Sequence, residues 1–443
     1  MSAEDVERYD HGVSKSFPRN RLLILGFEFA WGIGMSLGML FTVVPSYMTV
    51  IGAPKSLIGF VVSSWTTFSP LQLVAGHFLA GRYKHRWLPV GYTVSVVPWF
   101  LYSTLSFLFP GSLSDTARLA LFTVVILWFA AFFTVSDATY FAMTMDTAPL
   151  RKRGSLYAWR LIILGSATFL ASFFTRWVMI RFPEPRNYHL SFAIATVVYA
   201  SGSVLMLFVR EYIPHHRSSR TERSGMHGLV ERVRSLTHTV LGNPNYRITL
   251  FFFVVLFTAR ELNVFVVTFA RDQLGISGSQ VVIFTVLRIF LAAVFAVGVG
   301  RIADRKGFKA VTLIMSAGFA VAFAIVAFAS RQETPSIVLL YLGYGLHTGA
   351  GALSIMALAS MSAEIIEKQD TTVLIALGNI IVLPFVLLSQ PLSGLLVDIT
   401  GDYFTIFVLG FVLSVVGAGG FLFLVQEPRG RRMYAFRFPR RTR

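Results

Sequence analysis

The chain has 443 residues, 55% of them hydrophobic and 14% charged, with a mean hydropathy of +0.65. So apolar a composition excludes a soluble globular protein, and the absence of cysteine excludes disulfides, metal thiolates and a cysteine nucleophile. The formal net charge of +17 comes largely from Lys and Arg in alternate loops, a pattern that orients a chain in a membrane and does not mark a nucleic-acid partner.

Residues 1–20 are a polar tail, and the apolar run that follows is too long for a cleaved signal and reads as a first span. Apolar runs of roughly 20 residues, the length that crosses a bilayer, occur at 21–49, 57–80, 88–109, 119–147, 155–180, 188–210, 247–270, 277–303, 309–330, 335–362, 371–398 and 403–426. Alternating barrel-type segments of about ten residues are not seen. The sequence therefore predicts an all-α membrane protein with twelve transmembrane helices. Most Lys and Arg fall in the tails and even-numbered loops, which puts both termini in the cytoplasm.

In the first half, 21–210, Glu28, Asp137 and Arg160 are expected at ~10, ~15 and ~9 Å from the cytoplasmic face, taking 1.5 Å per residue. Carboxyls desolvated at such depths can take up and release protons, so Glu28 and Asp137 are the candidate proton carriers. Arg160 is a candidate ion-pair partner for Asp137, and Trp31 is a candidate cavity residue on the first span. The long polar segment 211–246 divides the chain. Leu229, Val230, Val233, Leu236 and Val240 recur there at helical spacing opposite Arg232 and Arg234, which points to a short surface helix; a linker without structure is the alternative.

The second half, 247–427, opens on YRITLFFFVVLFTARELNVFVVTFAR, an apolar run with Arg260 and Glu261 side by side at its centre and Asn263 close by. An ionised side chain at that depth costs roughly 2.5–3.5 kcal/mol on an insertion scale and faces a bundle interior or a wet cavity. Glu261 and Arg288 are expected at nearly equal depth, ~21 and ~22 Å from the cytoplasmic ends of spans seven and eight. That placement allows an ion pair between them. An arginine left over would bind a carboxylate or phosphate through its planar fork. The bland alternative is a structural triad. His347, with Tyr344 nearby among Gly343, Gly345, Gly349 and Gly351, is either a pocket residue or a packing residue. Gln390 is an uncommitted polar group. The basic segment 428–443 is a cytoplasmic tail.

The stretch Gly300-Arg301-Ile302-Ala303-Asp304-Arg305-Lys306-Gly307-Phe308-Lys309 closely resembles the loop signature G-x-L-A-D-R-x-G-R-K of the major facilitator superfamily. Asp304 is suited to accept backbone N–H groups at a helix start, with Arg305 and Lys309 staying on the cytoplasmic side. The first-half counterpart, Gly76-His77-Phe78-Leu79-Ala80-Gly81-Arg82, has Ala80 in place of the acid. Asp146 with Arg151-Lys152-Arg153-Gly154 is similar to the family's loop after span four, a gating position. The resemblance implies two six-helix halves around a central site. It implies secondary active transport by alternating access rather than enzymatic chemistry, with spans one and four lining the cavity.

The expected cargo is a small organic anion or zwitterion moved with protons as co-substrate. The alternatives are a proton-coupled exporter of lipophilic or cationic drugs, and a non-transporting receptor or assembly factor on the same fold. Span five lacks the Gly-x-x-x-Gly-Pro pattern of many antiporters in the superfamily, which weighs against the exporter. No phosphate loop or metal-ligand spacing occurs, so no cofactor is expected. The expected setting is a monomer in a bacterial inner membrane.

Overall fold

A computed structural model describes residues 3–72, 79, 82–149, 152–212, 242–365 and 371–427. The linker helix expected near 229–240, the tail 428–443 and most of the first-half counterpart loop lie outside the described residues. The described chain is helical throughout, without a strand. Nine of its helices are long and apolar enough to cross a membrane.

The first compact unit comprises Met1–Met226 together with Gly275–Val286. Its helices are α1 (Ala3–Gly38), α2 (Val43–Val50), α3 (Lys55–Thr67), α4 (Lys84–Leu108), α5 (Asp115–Asp146), α6 (Arg153–Arg181) and α7 (Arg186–Val204), the last ending in a 3₁₀ turn, Leu205–Phe208. The polar tail is not a separate coil: α1 begins at Ala3, well ahead of the apolar run. Val13 and Phe17 on this extension are buried, the Ser16 and Tyr212 hydroxyls meet at 3.1 Å, and Lys152 lies over the Phe17 ring. Tertiary packing thus carries the helix beyond the membrane segment.

The second unit comprises His227–Leu274 and Leu287–Arg443. It contains α8 (Pro244–Glu261), α9 (Val264–Leu274), most of α10 (Gly278–Lys306), α11 (Phe308–Ser330), α12 (Ile337–Gly351), α13 (Ser354–Ile365), α14 (Thr371–Thr400) and α15 (Phe404–Phe423). In this unit two spans expected to be continuous are broken, span seven at Leu262–Asn263 and span ten at Ala352–Leu353. The α8–α9 junction closes with i→i+3 bonds, Leu262 N to Ala259 O and Phe265 N to Leu262 O, both 3.2 Å. Such turns release backbone carbonyls at mid-span, tolerable only where protein or a cavity satisfies them.

Each unit is closed by the same pair of contacts. Asn20 Nδ2 donates to Arg210 O at 2.9 Å and its Oδ1 accepts from Arg210 N at 3.0 Å. Asn245 holds Gln426 likewise, at 3.1 and 2.9 Å. The next residue is a glutamate in both cases. Glu211 accepts from the backbone N–H of His85, second residue of α4, at 2.8 Å. Glu427 accepts from Lys309 N, second residue of α11, at 3.1 Å.

These glutamates satisfy donors that a helix start leaves open. Glu427 fills a helix-start role of the kind expected of Asp304; the side chains of Asp304 and Arg305 lie outside the described residues. Lys309, at the start of α11, turns its side chain into the unit. It is buried and its ammonium donates to Leu422 O at 3.1 Å and Val425 O at 2.8 Å, supplying the cation that a helix C-terminus favours.

Gly307 permits this junction because its φ of +82° is left-handed and a Cβ there would stand 2.5 Å from the Glu427 carboxyl carbon. Removing the amide in Asn20→Ala should cost about 1–3 kcal/mol through partly buried backbone groups left unsatisfied; Asn245→Ala, whose backbone partners are exposed to water, should cost less, and Gly307→Ala should be at least as destabilising as Asn20→Ala. Thermal unfolding of the purified variants in detergent measures each loss.

Candidate functional site

In the second unit the broken spans bring their free ends together. Arg260 and Glu261 are the last two residues of α8, and Ser354 is the first of α13. Arg260 Nε donates to Glu261 Oε1 at 2.8 Å, Nη2 reaches the same oxygen, and Nη1 donates to Ser354 Oγ at 2.9 Å. Glu261 Oε2 accepts from Gln390 Nε2 of α14 at 2.8 Å, and the same amide reaches the Glu261 carbonyl at 3.2 Å. That carbonyl is one the helix break releases, so Gln390 satisfies both the charge and the break. Glu261 is buried, whereas the Arg260 side chain remains 25% exposed. Arg260 also lies over the Phe257 ring at 4.5 Å.

Glu261 therefore takes Arg260 as its partner rather than Arg288, because a free helix end lets adjacent side chains bend towards each other in a way a continuous helix does not. Arg288 lies beside the buried Tyr344 hydroxyl. His347 is within electrostatic reach of both arginines, yet its ring stacks on Phe319 at 4.3 Å and meets Phe323 edge-on at 5.0 Å. It is 2% exposed and its Nε2 has no hydrogen-bond partner. Asn263 is buried in the turn between α8 and α9.

The first unit holds a second charged cluster. Arg160 of α6 donates from Nε to Glu28 Oε1 of α1 at 2.5 Å, and the Tyr140 hydroxyl of α5 donates to the same oxygen at 2.8 Å. The guanidinium lies between the rings of Tyr140 and Phe141, at 4.7 and 4.8 Å, and its Nη1 is buried without a partner. Arg160 thus pairs with Glu28, and Asp137 stands apart. The Asp137 carboxyl is half-buried, feels both Arg160 and Glu28 electrostatically, and makes no hydrogen bond or ion pair to a described residue.

Trp31 joins an aromatic group one turn along α1, stacked on Phe133 at 4.8 Å and against Tyr199, Tyr92 and Phe27 at 4.2, 5.7 and 5.8 Å. Asp146 at the end of α5 pairs with Lys84 at 2.8 Å.

Sequence reasoning missed Tyr140 and Ser354 as partners, since a hydroxyl in an apolar span carries no positional signal. The glutamate contacts at the unit ends did have one: Val209-Arg210-Glu211 and Val425-Gln426-Glu427 close the two halves with the same Val-x-Glu pattern. Truncating one member of a buried pair, as in Arg160→Met or Gln390→Ala, strands a carboxylate. A loss of about 3–5 kcal/mol is expected for the arginine and about 1–3 kcal/mol for the amide. The double change Glu28→Gln with Arg160→Met should recover part of the single-mutant loss in the same unfolding measurement.

Residues 29–381 match the model of a family described as Major Facilitator Superfamily. Comparison with curated proteins gives no match. Among solved structures, a variant of the nucleoside transporter NupG aligns at a TM-score of 0.68 and 17% identity over 91% of this chain and 98% of that one. The xylose transporter XylE from E. coli, in a partially occluded inward open conformation, aligns at 0.66 and 14% over 95% and 100%. A variant of the peptide transporter POT aligns at 0.62 and 14% over 90% and 94%. At these identities the likeness is one of fold.

Proposed function

From the premise that this chain belongs to the major facilitator superfamily and is a multi-pass membrane transporter, not an enzyme, we propose proton-coupled movement of a small organic anion or zwitterion. The observation that carries this reading is the partly exposed guanidinium of Arg260, held at the meeting point of two broken spans by Glu261 and Ser354. A guanidinium so anchored presents its remaining edge to a carboxylate or phosphate with little conformational freedom left to lose. Arg288 is the second cation for that group, and Glu261 attracts the ammonium of a zwitterion. Discontinuous spans recur at substrate sites of secondary transporters because they offer backbone and side-chain charge together at mid-membrane.

Asp137 is the proposed proton carrier. Its carboxyl has no hydrogen-bond or ion-pair partner among the described residues, while Glu28 is engaged by Arg160 and Tyr140, so a proton moved on or off Asp137 disturbs no contact among them. Glu28 would respond through Arg160, whose unpartnered Nη1 can turn towards whichever acid is ionised. The termini are assigned to the cytoplasm of a bacterial cell, on the arginine distribution.

The Trp31 aromatic group beside Asp137 supports a second reading, export of lipophilic cations, since ring faces attract a cation. Thermal-shift screening of the purified protein separates the two: organic anions should stabilise the wild type and not Arg260→Gln. Stabilisation by lipophilic cations alone, lost in Asp137→Asn, would establish the exporter instead.

Two outcomes are expected in proteoliposomes. Arg260→Lys should weaken binding of the anion by about 10–100-fold, losing a bidentate charge-assisted contact worth roughly 1.5–3 kcal/mol. Asp137→Asn should abolish accumulation driven by a pH gradient while substrate exchange at equal pH persists. Undiminished gradient-driven uptake in Asp137→Asn would remove it from coupling.

A further inference from the structure

The first unit carries a groove of about 350 Å³ on the face formed by α4 and α5, walled by Leu79, Trp87, Val90, Val94, Phe132 and Val135. Its wall is almost wholly apolar, and Trp87 and Val90 are half exposed, so it suits a hydrocarbon chain. One end meets a basic rim. The Arg82 N–H donates to the carbonyl of Leu79 at 3.2 Å, and Arg86 immediately precedes Trp87 and lies over the Tyr83 ring at 5.6 Å. Other basic groups here are engaged, Lys84 by Asp146 and His85 by Glu211. Arg82 and Arg86 are exposed and have no acidic partner among the described residues.

Three basic side chains, Lys84, His85 and Arg86, occupy the first turn of α4, which holds no acidic residue. A helix N-terminus is already positive, so this arrangement is unfavourable for the helix itself. Glu211 and Asp146 offset two of the three. The remaining charge, with Arg82 across the turn, stands at the mouth of an apolar groove, flanked by Tyr83 and Trp87, rings of the kind that settle at the level of lipid headgroups.

We propose that this groove is a binding site for an anionic glycerophospholipid, its acyl chain along Val90, Val94 and Phe132 and its phosphate between Arg82 and Arg86. Arginine forks bind phosphate oxygens bidentately, and juxtamembrane basic side chains draw anionic lipid from the bilayer. The site lies wholly within the first unit and is independent of the cargo assigned above.

The test uses the full-length protein in a neutral detergent, with dioleoylphosphatidylglycerol, dioleoylphosphatidylcholine or glycerol phosphate added. Phosphatidylglycerol should raise the unfolding temperature by about 2–4 °C, with no shift from the zwitterionic lipid or from the chainless phosphate. That difference should vanish in the double variant Arg82→Gln, Arg86→Gln and fall in Val94→Trp, which fills the groove. It should persist in Arg440→Gln, Arg441→Gln, which removes the same charge from the tail. Equal shifts from both lipids, a shift from glycerol phosphate alone, or a phosphatidylglycerol effect surviving the Arg82/Arg86 change would overturn the proposal. The Arg82/Arg86 change touches only exposed side chains, so it decides the matter even if Val94→Trp fails to fold.

Discussion

Burying a carboxylate at the depth of a bilayer is possible only when it brings its own counter-charge and enough donors to fill its remaining lone pairs. Both units meet this constraint with an acid, an arginine and a neutral third group. Glu28 has Arg160 and Tyr140; Glu261 has Arg260 and Gln390. The helices that contribute these groups are thereby held in one register. The two solutions differ in how much they leave open. In the first unit Arg160 is sealed between rings and an acid, Asp137, stands outside the pair. In the second, the arginine of the pair itself stays partly exposed.

The geometry of the second cluster follows from where its helices stop. A continuous helix would put Arg260 and Glu261 about 100° apart around its axis. Ending α8 at Glu261 frees the local backbone, and starting α13 at Ser354 brings a hydroxyl to the same place. Close helix approach beside this point is provided by α12, where a Cβ on Gly343 would meet Val326 and Ala322 of α11, and one on Gly349 would meet Phe295 of α10. The glycines of α12 thus set the spacing around Tyr344 and His347.

Twelve apolar runs and the loop signature made the fold legible, because hydrocarbon thickness imposes a length that no local preference overrides. Which residues carry charge into the membrane was equally legible, since each such residue is conspicuous against an apolar background. Partner choice was not. Equal depth allowed a pair between Glu261 and Arg288, and a shared half allowed one between Asp137 and Arg160, whereas the observed pairs depend on a helix break and on a tyrosine from a third helix. Equal depth says nothing of rotation about a helix axis, the breaks at Leu262 and Ala352 carry no proline, and the charges at 260 and 261 mark a depth without marking a break. The partners of Lys309, orphan carbonyls at a helix end, were not legible either, because composition does not show which carbonyls a helix leaves open.

The asparagine and glutamate that tie the last turn of each unit back to its first and third spans have a consequence for biogenesis. Neither bundle can shut until the ribosome has delivered its own final glutamate, residue 211 for one and 427 for the other. The first bundle is therefore able to seal while the second is still being translated, and the second waits for residue 427. A nascent chain cut short of residue 427 would hold a finished front half beside a back half missing its buckle, the species that membrane quality-control proteases are built to find.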